Sequence, residues 1–534
     1  MNGETEKLRA IAEKATARLM NLTSLDSQSQ TFGCVDREFW AYRTTRGFAS
    51  APFQHVMGGL AYLSRVFVQP DAERLHQLAL SVVDFWIINR NRNGSANEWY
   101  RNEQSYCATS MGLHAATESL LQLRDVMPPD HVTIRSENLR KSEKWLRHRG
   151  NPLAANQQIA SCAGRFQLGV LLDDQEIVVQ AQQSLSEITD EFNRLGYLPE
   201  YGGVDLGYLL LSIELLAPAH SVGFTECEPL VAVLCSQLCS LLSVSHELPF
   251  ELGTRGTSHK FFGGVEYFSQ HVSSARRLWE LTHTTSVDAQ IESFEKYDDR
   301  YFATFAYTAL IRRLKWSAVS NHRMVSSQAS PATVSGPIQT IQSGGGTLYV
   351  HPNFGHALSW MGPQNQRLMH LGYVFTDSSG SRWTSLVQPT NDDQTYHFVE
   401  VSEASPLVST ELLVRLLFAL CRIPSVARAT SWWARTRAGR PQRTTQMWLQ
   451  REIVNQGDSV SVIDRIRYEG KQSGVISGIQ QFPFHSPSLM TLAISSLSAE
   501  MFTHRLESAA QHGEFAFHWK ITSSAEVEVK KSIR

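Results

Sequence analysis

The sequence lacks a cysteine pattern typical of disulfides or metal sites, and it lacks a long apolar run. Its seven cysteines are scattered, odd in number and never arranged as CxxC, so we expect buried reduced thiols, not disulfides or a zinc knuckle. No stretch approaches the roughly 20 apolar residues that a membrane-crossing helix needs, so no transmembrane segment is expected. The first twenty residues alternate charged and apolar positions at helical spacing, without the apolar core of a signal peptide. This pattern favours a cytoplasmic protein.

Neither sign of charge predominates. The 534 residues include 49 Lys+Arg and 51 Asp+Glu, so no global charge draws the protein to nucleic acid or to an anionic membrane. An acidic ligand would have to be held by local basic groups. The composition leaves the oligomeric state open.

The spacing of apolar residues changes past the middle of the chain. Up to about Trp316, apolar residues recur at three- and four-residue steps in blocks of roughly 12 to 20, which predicts antiparallel helical hairpins closing into a solenoid or ring. A Ser/Gly-rich passage, 317–345, is the predicted junction. Short runs rich in Val, Ile, Tyr, Trp and Thr then predict an antiparallel β-sandwich over 346–534. The expected fold class is therefore α+β, with a helical domain over 1–316.

Three polar-aromatic segments of the helical half stand out from this core pattern. The first segment is 97–106 (NEWYRNEQSY), the second is 199–208 (PEYGGVDLGY) and the third is 249–262 (PFELGTRGTSHKFF). Each lies where a loop enters a predicted helix, and loops on one rim of a helical scaffold can meet in a single cleft.

Structural roles are the alternative for each of these residues. Asn102 or Ser105 can cap the helix that follows. Trp99 and Tyr100 can be core aromatics, and His259 can be a structural histidine. What favours function is that Tyr, His, Arg, Asn and Glu all occur at such junctions within one half of the chain.

Together the three segments resemble the heparinase II/III-like family, in which a helical (α/α) toroid precedes an antiparallel β-sandwich. The stretch 451–466 (REIVNQGDSVSVIDRI) is similar to a strand pair of that sandwich. The resemblance covers most of the chain. Members with known activity are polysaccharide lyases that cleave uronic-acid-containing chains by β-elimination, so the resemblance implies a lyase acting on an acidic oligo- or polysaccharide.

The resemblance also implies roles for particular residues. β-Elimination needs a neutralised C5 carboxylate, a base for the neighbouring proton and an acid for the leaving oxygen. Asn102 corresponds to the carboxylate-binding Asn, and Glu103 stands where the family's lyases commonly have His. The other candidates are Tyr201 or Tyr208 as the catalytic tyrosine, His259 and Arg255 as the polar wall of the cleft, Trp99 and Tyr100 as a stacking platform, and Glu200 and Asp205 beside the substrate.

A metal site is a further expectation. Lyases of this group often carry a His-x-His-x-Asp-like motif near the start of the sandwich, and here His351, His356 and His370 occupy that stretch with different spacing. Imidazole is a good zinc ligand, so these histidines are candidate zinc ligands, with structural roles as the alternative. The cofactor is left open.

Two other functions stay open. A glycoside hydrolase on the same scaffold would use Glu103, Glu200 or Asp205 as a carboxylate pair. A non-catalytic glycan-binding or assembly protein of surface-polysaccharide biosynthesis would keep the aromatic cleft without the acid and the base.

Overall fold

A computed structural model provides the coordinates of the protein. It describes residues 3–42, 47–66, 71–201, 203–242, 246–257, 259–283, 297–319, 336–343, 346–352, 357–362, 367–370, 372–385, 395–400, 416, 419–430, 444–469, 473–479, 504–506, 512–522 and 527–533.

The first part of the chain is helical, as the apolar spacing predicted. Its helices are α1 (Gly3–Leu22), α2 (Arg37–Trp40), α3 (Met57–Val66), α4 (Asp71–Asn89), α5 (Tyr106–Leu123), α6 (Pro129–Arg147), α7 (Ala155–Leu172), α8 (Gln175–Leu195), α9 (Leu206–His220), α10 (Glu228–Ser240), α11 (Gly263–Phe268), α12 (273–283), α13 (Asp299–Tyr301) and α14 (Tyr307–Val319). A 3-10 turn, Ala51–Val56, precedes α3, and a π-helical turn, Phe302–Ala306, joins α13 to α14.

Helices α5 to α9 alternate between inner and outer positions. All fifteen residues of α9 are buried, and α5 and α7, which pack on each other, are buried over most of their length. By contrast, α8 buries only Ile177, Ala181, Leu185, Ile188 and Phe192, at the three- and four-residue spacing of one helix face. The helices buried on most sides, α5, α7 and α9, therefore take the inside, and the one-sided α8 covers them.

A buried guanidinium bridges three of the inner helices. Arg312 of α14 is 4% exposed, and its guanidinium donates to both carboxylate oxygens of Glu118 on α5, at 2.6 and 2.5 Å. It also contacts the carboxylate of Glu214 on α9 at 3.4 Å. A buried guanidinium between two carboxylates satisfies charges that would otherwise be costly in the core.

The second part forms two antiparallel sheets. The smaller has the order β1-β2-β3-β4, and the larger has the order β11-β10-β5-β6-β7-β8-β9-β12-β13. The strands are β1 (Gln339–Ser343), β2 (Gly346–His351), β3 (Ala357–Met361), β4 (Arg367–His370), β5 (Gly372–Asp377), β6 (Arg382–Thr384), β7 (Thr395–Glu400), β8 (Thr444–Asn455), β9 (Ser459–Glu469), β10 (Gly474–Ile479), β11 (His504–Leu506), β12 (His512–Thr522) and β13 (Val527–Ile533).

The smaller sheet packs on both neighbours. Leu348 and Trp360 join a core with the larger sheet, whereas Tyr349 and Met361, one residue away in each strand, join the core of the helices. Successive side chains of a strand point to opposite faces, so the two faces of the small sheet are both covered.

The change from helix to strand falls close to the predicted junction. The last helix of the first part, α14, ends at Val319, and β1 begins at Gln339, inside the segment 317–345. Among the helices of the described residues, none is long and apolar enough to cross a bilayer.

Candidate functional site

The first segment forms a closed loop at the start of α5. A bridge between Ala96 and Ser105 closes the loop, and the hydroxyl of Ser105 accepts the N–H of Ala108 at 3.1 Å. Ser105 is therefore the helix cap, and Asn102 is not.

The carboxylate of Glu103 lies inside this loop. Its Oε2 accepts the backbone N–H groups of Glu98 and Trp99, each at 2.7 Å. Burial, reinforced by the nearby Glu98, raises the pKa of Glu103 to about 7. The group thus holds its own loop together and changes protonation near neutral pH.

Asn102 connects the loop to the second part of the chain. It has a φ of 61°, and its Nδ2 donates to the carbonyl oxygens of Cys421 (3.0 Å) and Arg422 (3.2 Å). Its amide hydrogens are therefore already used, and in this structure they do not face an open space where a carboxylate could bind.

Trp99 is the exposed aromatic of the loop, with 55% of its surface accessible, whereas Tyr100 is half-buried. The guanidinium of Arg300 lies 3.8 Å from the centre of the Trp99 ring and forms an ion pair with Glu98. Sequence reasoning missed Arg300, because nothing in the local pattern around it indicates a partner about 200 residues away.

Asp205 joins the second segment to the third. It caps α9 through the N–H of Tyr208 at 3.1 Å, and it also accepts the N–H groups of Arg255 (3.1 Å) and Thr257 (3.3 Å) and the Thr257 hydroxyl. The residue is fully buried, and burial raises its pKa. Since four donors occupy its two oxygens, Asp205 is not open to a substrate.

Glu200 is held in a similar way. It is 2% exposed, and its carboxylate accepts the backbone N–H of Asn156 (2.8 Å) and both oxygens contact the Asn156 amide (2.7 Å). Burial raises the pKa of Glu200 to about 8, although Asn156 opposes the shift. Glu200 therefore binds the second segment to Asn156 at the start of α7.

Tyr201 is the exposed residue of the second segment, with 41% of its surface accessible. Its φ of 53° lies in the left-handed region, which is unusual for an aromatic residue, and its N–H donates to the carbonyl of Leu153 at 2.6 Å. The Arg255 guanidinium lies 4.6 Å from its ring centre. Burial of part of the residue raises the pKa of Tyr201 to about 12, although Arg255 opposes the shift.

Arg255 brings an unsatisfied donor to the same place. The residue is half-buried, and its buried Nε–H has no hydrogen-bond partner among the described residues. The second segment is closely packed at Gly203. A Cβ on Gly203 would lie 2.5 Å from Cγ2 of Thr254, the residue before Arg255, and 3.8 Å from Nε2 of His351. Glycine at 203 therefore lets the third segment and the small sheet approach the loop.

Tyr208 and His259 lie below the surface. His259 is 1% exposed and Tyr208 is 8% exposed, and their rings meet edge to face at 5.4 Å. Nδ1 of His259 pairs with the Tyr297 hydroxyl at 2.8 Å, and Phe261 stacks on the imidazole. Burial lowers the pKa of His259 to about 3, so the ring is neutral and does not reach the wall of a cleft.

The three segments nevertheless converge. Asp205 ties the second segment to the third through the backbone bonds given above. Arg300 pairs with Glu98 of the first segment, and the next residue, Tyr301, lies 6.2 Å from His259 of the third. Among the candidates, Trp99 and Tyr201 are exposed, four are half-buried (Tyr100, Asn102, Glu103 and Arg255), and four are buried (Glu200, Asp205, Tyr208 and His259).

The histidines proposed as zinc ligands have other surroundings. Nδ1 of His370 accepts a hydrogen bond from Arg451 at 2.8 Å, which makes that nitrogen unavailable to a metal. His351 ends β2 beside Gly203, and His356 lies outside the described residues. Within the described ranges, no three His, Cys, Asp or Glu side chains are grouped so that they could hold a metal ion.

Two comparisons with known proteins found no relative of this chain. A scan against protein-family models and a search of curated proteins both found no match to this chain. A function has to be inferred from the geometry of its own residues.

Proposed function

We propose that the protein is a carbohydrate-active enzyme that cleaves uronic-acid-containing oligo- or polysaccharide by β-elimination, as the resemblance to the heparinase II/III-like family implies. One observation carries the proposal. An exposed tyrosine, Tyr201, is held in a left-handed conformation against Arg255, whose Nε–H is unpaired among the described residues. Strained backbone of this kind clusters at functional sites.

The pair suits two of the requirements of the reaction. A guanidinium can neutralise the C5 carboxylate of a uronate, which makes the C5 proton easier to remove. The pKa of about 12 keeps the Tyr201 hydroxyl protonated near neutral pH, so it can donate that proton to the leaving glycosidic oxygen while the double bond forms. In this mechanism Tyr201 is the acid, Arg255 binds the carboxylate, and a solvent water at the exposed site takes the C5 proton as the bond to the leaving oxygen breaks.

Trp99 supplies a surface for the sugar ring. Its exposed ring, with Arg300 at 3.8 Å, is a flat apolar platform of the type on which sugars stack. The half-buried Asn102 and Glu103 take positioning roles, as do the buried candidates Glu200, Asp205, Tyr208 and His259.

The finer fold assignment belongs to the same proposal. An (α/α) toroid is supported by the alternation of inner and outer helices from α5 to α9, and a β-sandwich by the core that the two sheets share. The division into domains at 1–316 and 346–534, and a cytoplasmic location, are proposed with it.

Replacing Tyr201 with Phe tests the mechanism. The change removes only a hydroxyl from an exposed side chain, so the melting temperature should stay close to that of the unmodified protein. The rate on uronate-containing glycans, followed by the ultraviolet absorbance of the unsaturated product, should fall by about 10²- to 10⁴-fold. Tyr208→Phe is the matched control, because that residue is only 8% exposed. Near-normal turnover by Tyr201→Phe would remove Tyr201 from the mechanism.

A hydrolase is the second candidate, favoured by one feature. Glu103 and Glu200 have pKa values raised to about 7 and about 8, as a general acid near neutral pH requires. Their oxygens, however, face the loop backbone and Asn156. New reducing ends without ultraviolet absorbance would indicate hydrolysis. Glycan binding without turnover in the unmodified protein would support the non-catalytic binding role.

A further inference from the structure

An apolar and cationic surface lies beside the first segment. We call it the Leu420 surface, and it consists of Leu416, Leu420, Arg422, Ile423 and Arg428. The three apolar side chains are 58%, 45% and 51% exposed, in chain order, and both arginines are exposed. Large apolar residues that are exposed together, rimmed by charge, mark interaction sites more often than single ones do.

The backbone behind this surface is anchored. Cys421 and Ala427 are fully buried, and the Cys421 thiol contacts the Thr430 hydroxyl at 3.5 Å. Asn102 donates to the carbonyl oxygens of residues 421 and 422. Within 419–430, Cys421, Ala427 and Thr430 are thus buried, while the residues of the Leu420 surface between and beside them are exposed.

The local sequence is strongly basic. Residues 412–443 contain seven arginines and no Lys, Asp or Glu, although the chain as a whole is nearly neutral. This composition places an excess of positive charge on a stretch that includes the Leu420 surface, and such stretches attract anionic surfaces.

We propose that the Leu420 surface docks the protein on an anionic lipid bilayer. A hydrated polyanion, such as an acidic polysaccharide, would pair with the arginines but would gain nothing from exposed Leu416, Leu420 and Ile423. An anionic lipid surface can bind both kinds of side chain, because apolar side chains enter the acyl boundary while arginines bind the headgroups. The inference goes beyond the proposed function and does not depend on it.

Vesicle sedimentation with the full chain tests the proposal. Binding is expected to vesicles of phosphatidylcholine mixed with phosphatidylglycerol, and it should be at least tenfold weaker to phosphatidylcholine alone and fall as salt is added. The double variant Leu420→Ser, Ile423→Ser should weaken binding by about tenfold or more. Arg422→Gln with Arg428→Gln should weaken it by about 25-fold, at about fivefold per arginine.

Matched controls lie on other elements of the chain. Ile134→Ser changes an isoleucine that is 60% exposed on α6, and Arg124→Gln changes an arginine that is 52% exposed after α5; both should leave vesicle binding unchanged. Since all the altered side chains are exposed, thermal melts should show a folded protein in each case.

Three results would overturn the proposal. One is an absence of binding to the anionic vesicles, and another is equal binding to both kinds of vesicle. The third is that the Leu420→Ser, Ile423→Ser variant binds as well as the unmodified protein while soluble polygalacturonate competes for the arginines. That outcome would assign the surface to a polyanion. Turnover of soluble glycans, which tests the proposed enzyme, is a separate measurement.

Discussion

Replacing Asp205 with Asn should uncouple the second segment from the third. Asn keeps one oxygen that can cap α9 through the Tyr208 N–H, but it puts an NH₂ group where the other oxygen accepts the N–H groups of Arg255 and Thr257. Two hydrogen bonds are then replaced by donors facing donors in a fully buried site. A buried donor left unpaired costs about 1–3 kcal/mol, so the free energy of unfolding should fall by about 2–6 kcal/mol.

The assay is chemical denaturation beside a matched control. Asp174 caps α8 through the N–H of Ile177 at 3.3 Å and pairs with Arg140, but it is partly exposed. Since Asn caps helices about as well as Asp and surface ion pairs contribute little, Asp174→Asn should cost less than about 1 kcal/mol. If Asp205→Asn unfolds at the same denaturant concentration as Asp174→Asn, the carboxylate does not join the two segments.

Two further changes probe the buried charges. The pKa of Glu200 is raised from 4.5 to about 8 by burial, so the folded state keeps a proton that the unfolded state releases, and stability is lost as the pH rises from about 4.5 to about 8. The free energy of unfolding of Glu200→Gln, relative to that of the unmodified protein, should therefore rise by roughly 1.4 kcal/mol per pH unit across that window. A difference in melting that does not change with pH would contradict this. Arg312→Met should lower the free energy of unfolding by about 3–5 kcal/mol, because it leaves Glu118 and Glu214 buried without their partner. Arg140 is partly exposed, so Arg140→Met should lower it by less than about 1 kcal/mol, measured by chemical denaturation. Equal losses in the two variants would refute the role of burial.

The sequence was sufficient for the order of secondary structure, because that order follows from local periodicity. Helices in the first part and antiparallel strands in the second are confirmed. Capping was also predictable in kind: Ser105, one of the two caps that the sequence offered, accepts an N–H group of the first turn of α5. Asp205, expected beside the substrate, caps α9 in the same way. These features depend on neighbours within a few residues.

Long-range partners were not predictable from one sequence. The bonds from Asn102 to the carbonyl groups of 421 and 422, and the stacking of Arg300 on Trp99, join residues that no local pattern relates. Burial was equally hidden. The sequence suggested an accessible His259, but its ring is enclosed by aromatic residues because the third segment turns inward against α9.

The conformation of Tyr201 is what distinguishes the second segment from an ordinary turn. A left-handed φ at an aromatic residue costs about 1–3 kcal/mol, and a turn without another role would place Gly or Asn there. The surrounding structure maintains the strain: Leu153 binds the Tyr201 N–H, Glu200 pairs with Gly203, and Arg255 covers the ring. The backbone strain at Tyr201 thus lowers stability, and the contacts around it offset that loss. A turn that only changes chain direction would gain nothing from that arrangement, whereas the elimination proposed above uses a tyrosine hydroxyl presented beside a guanidinium.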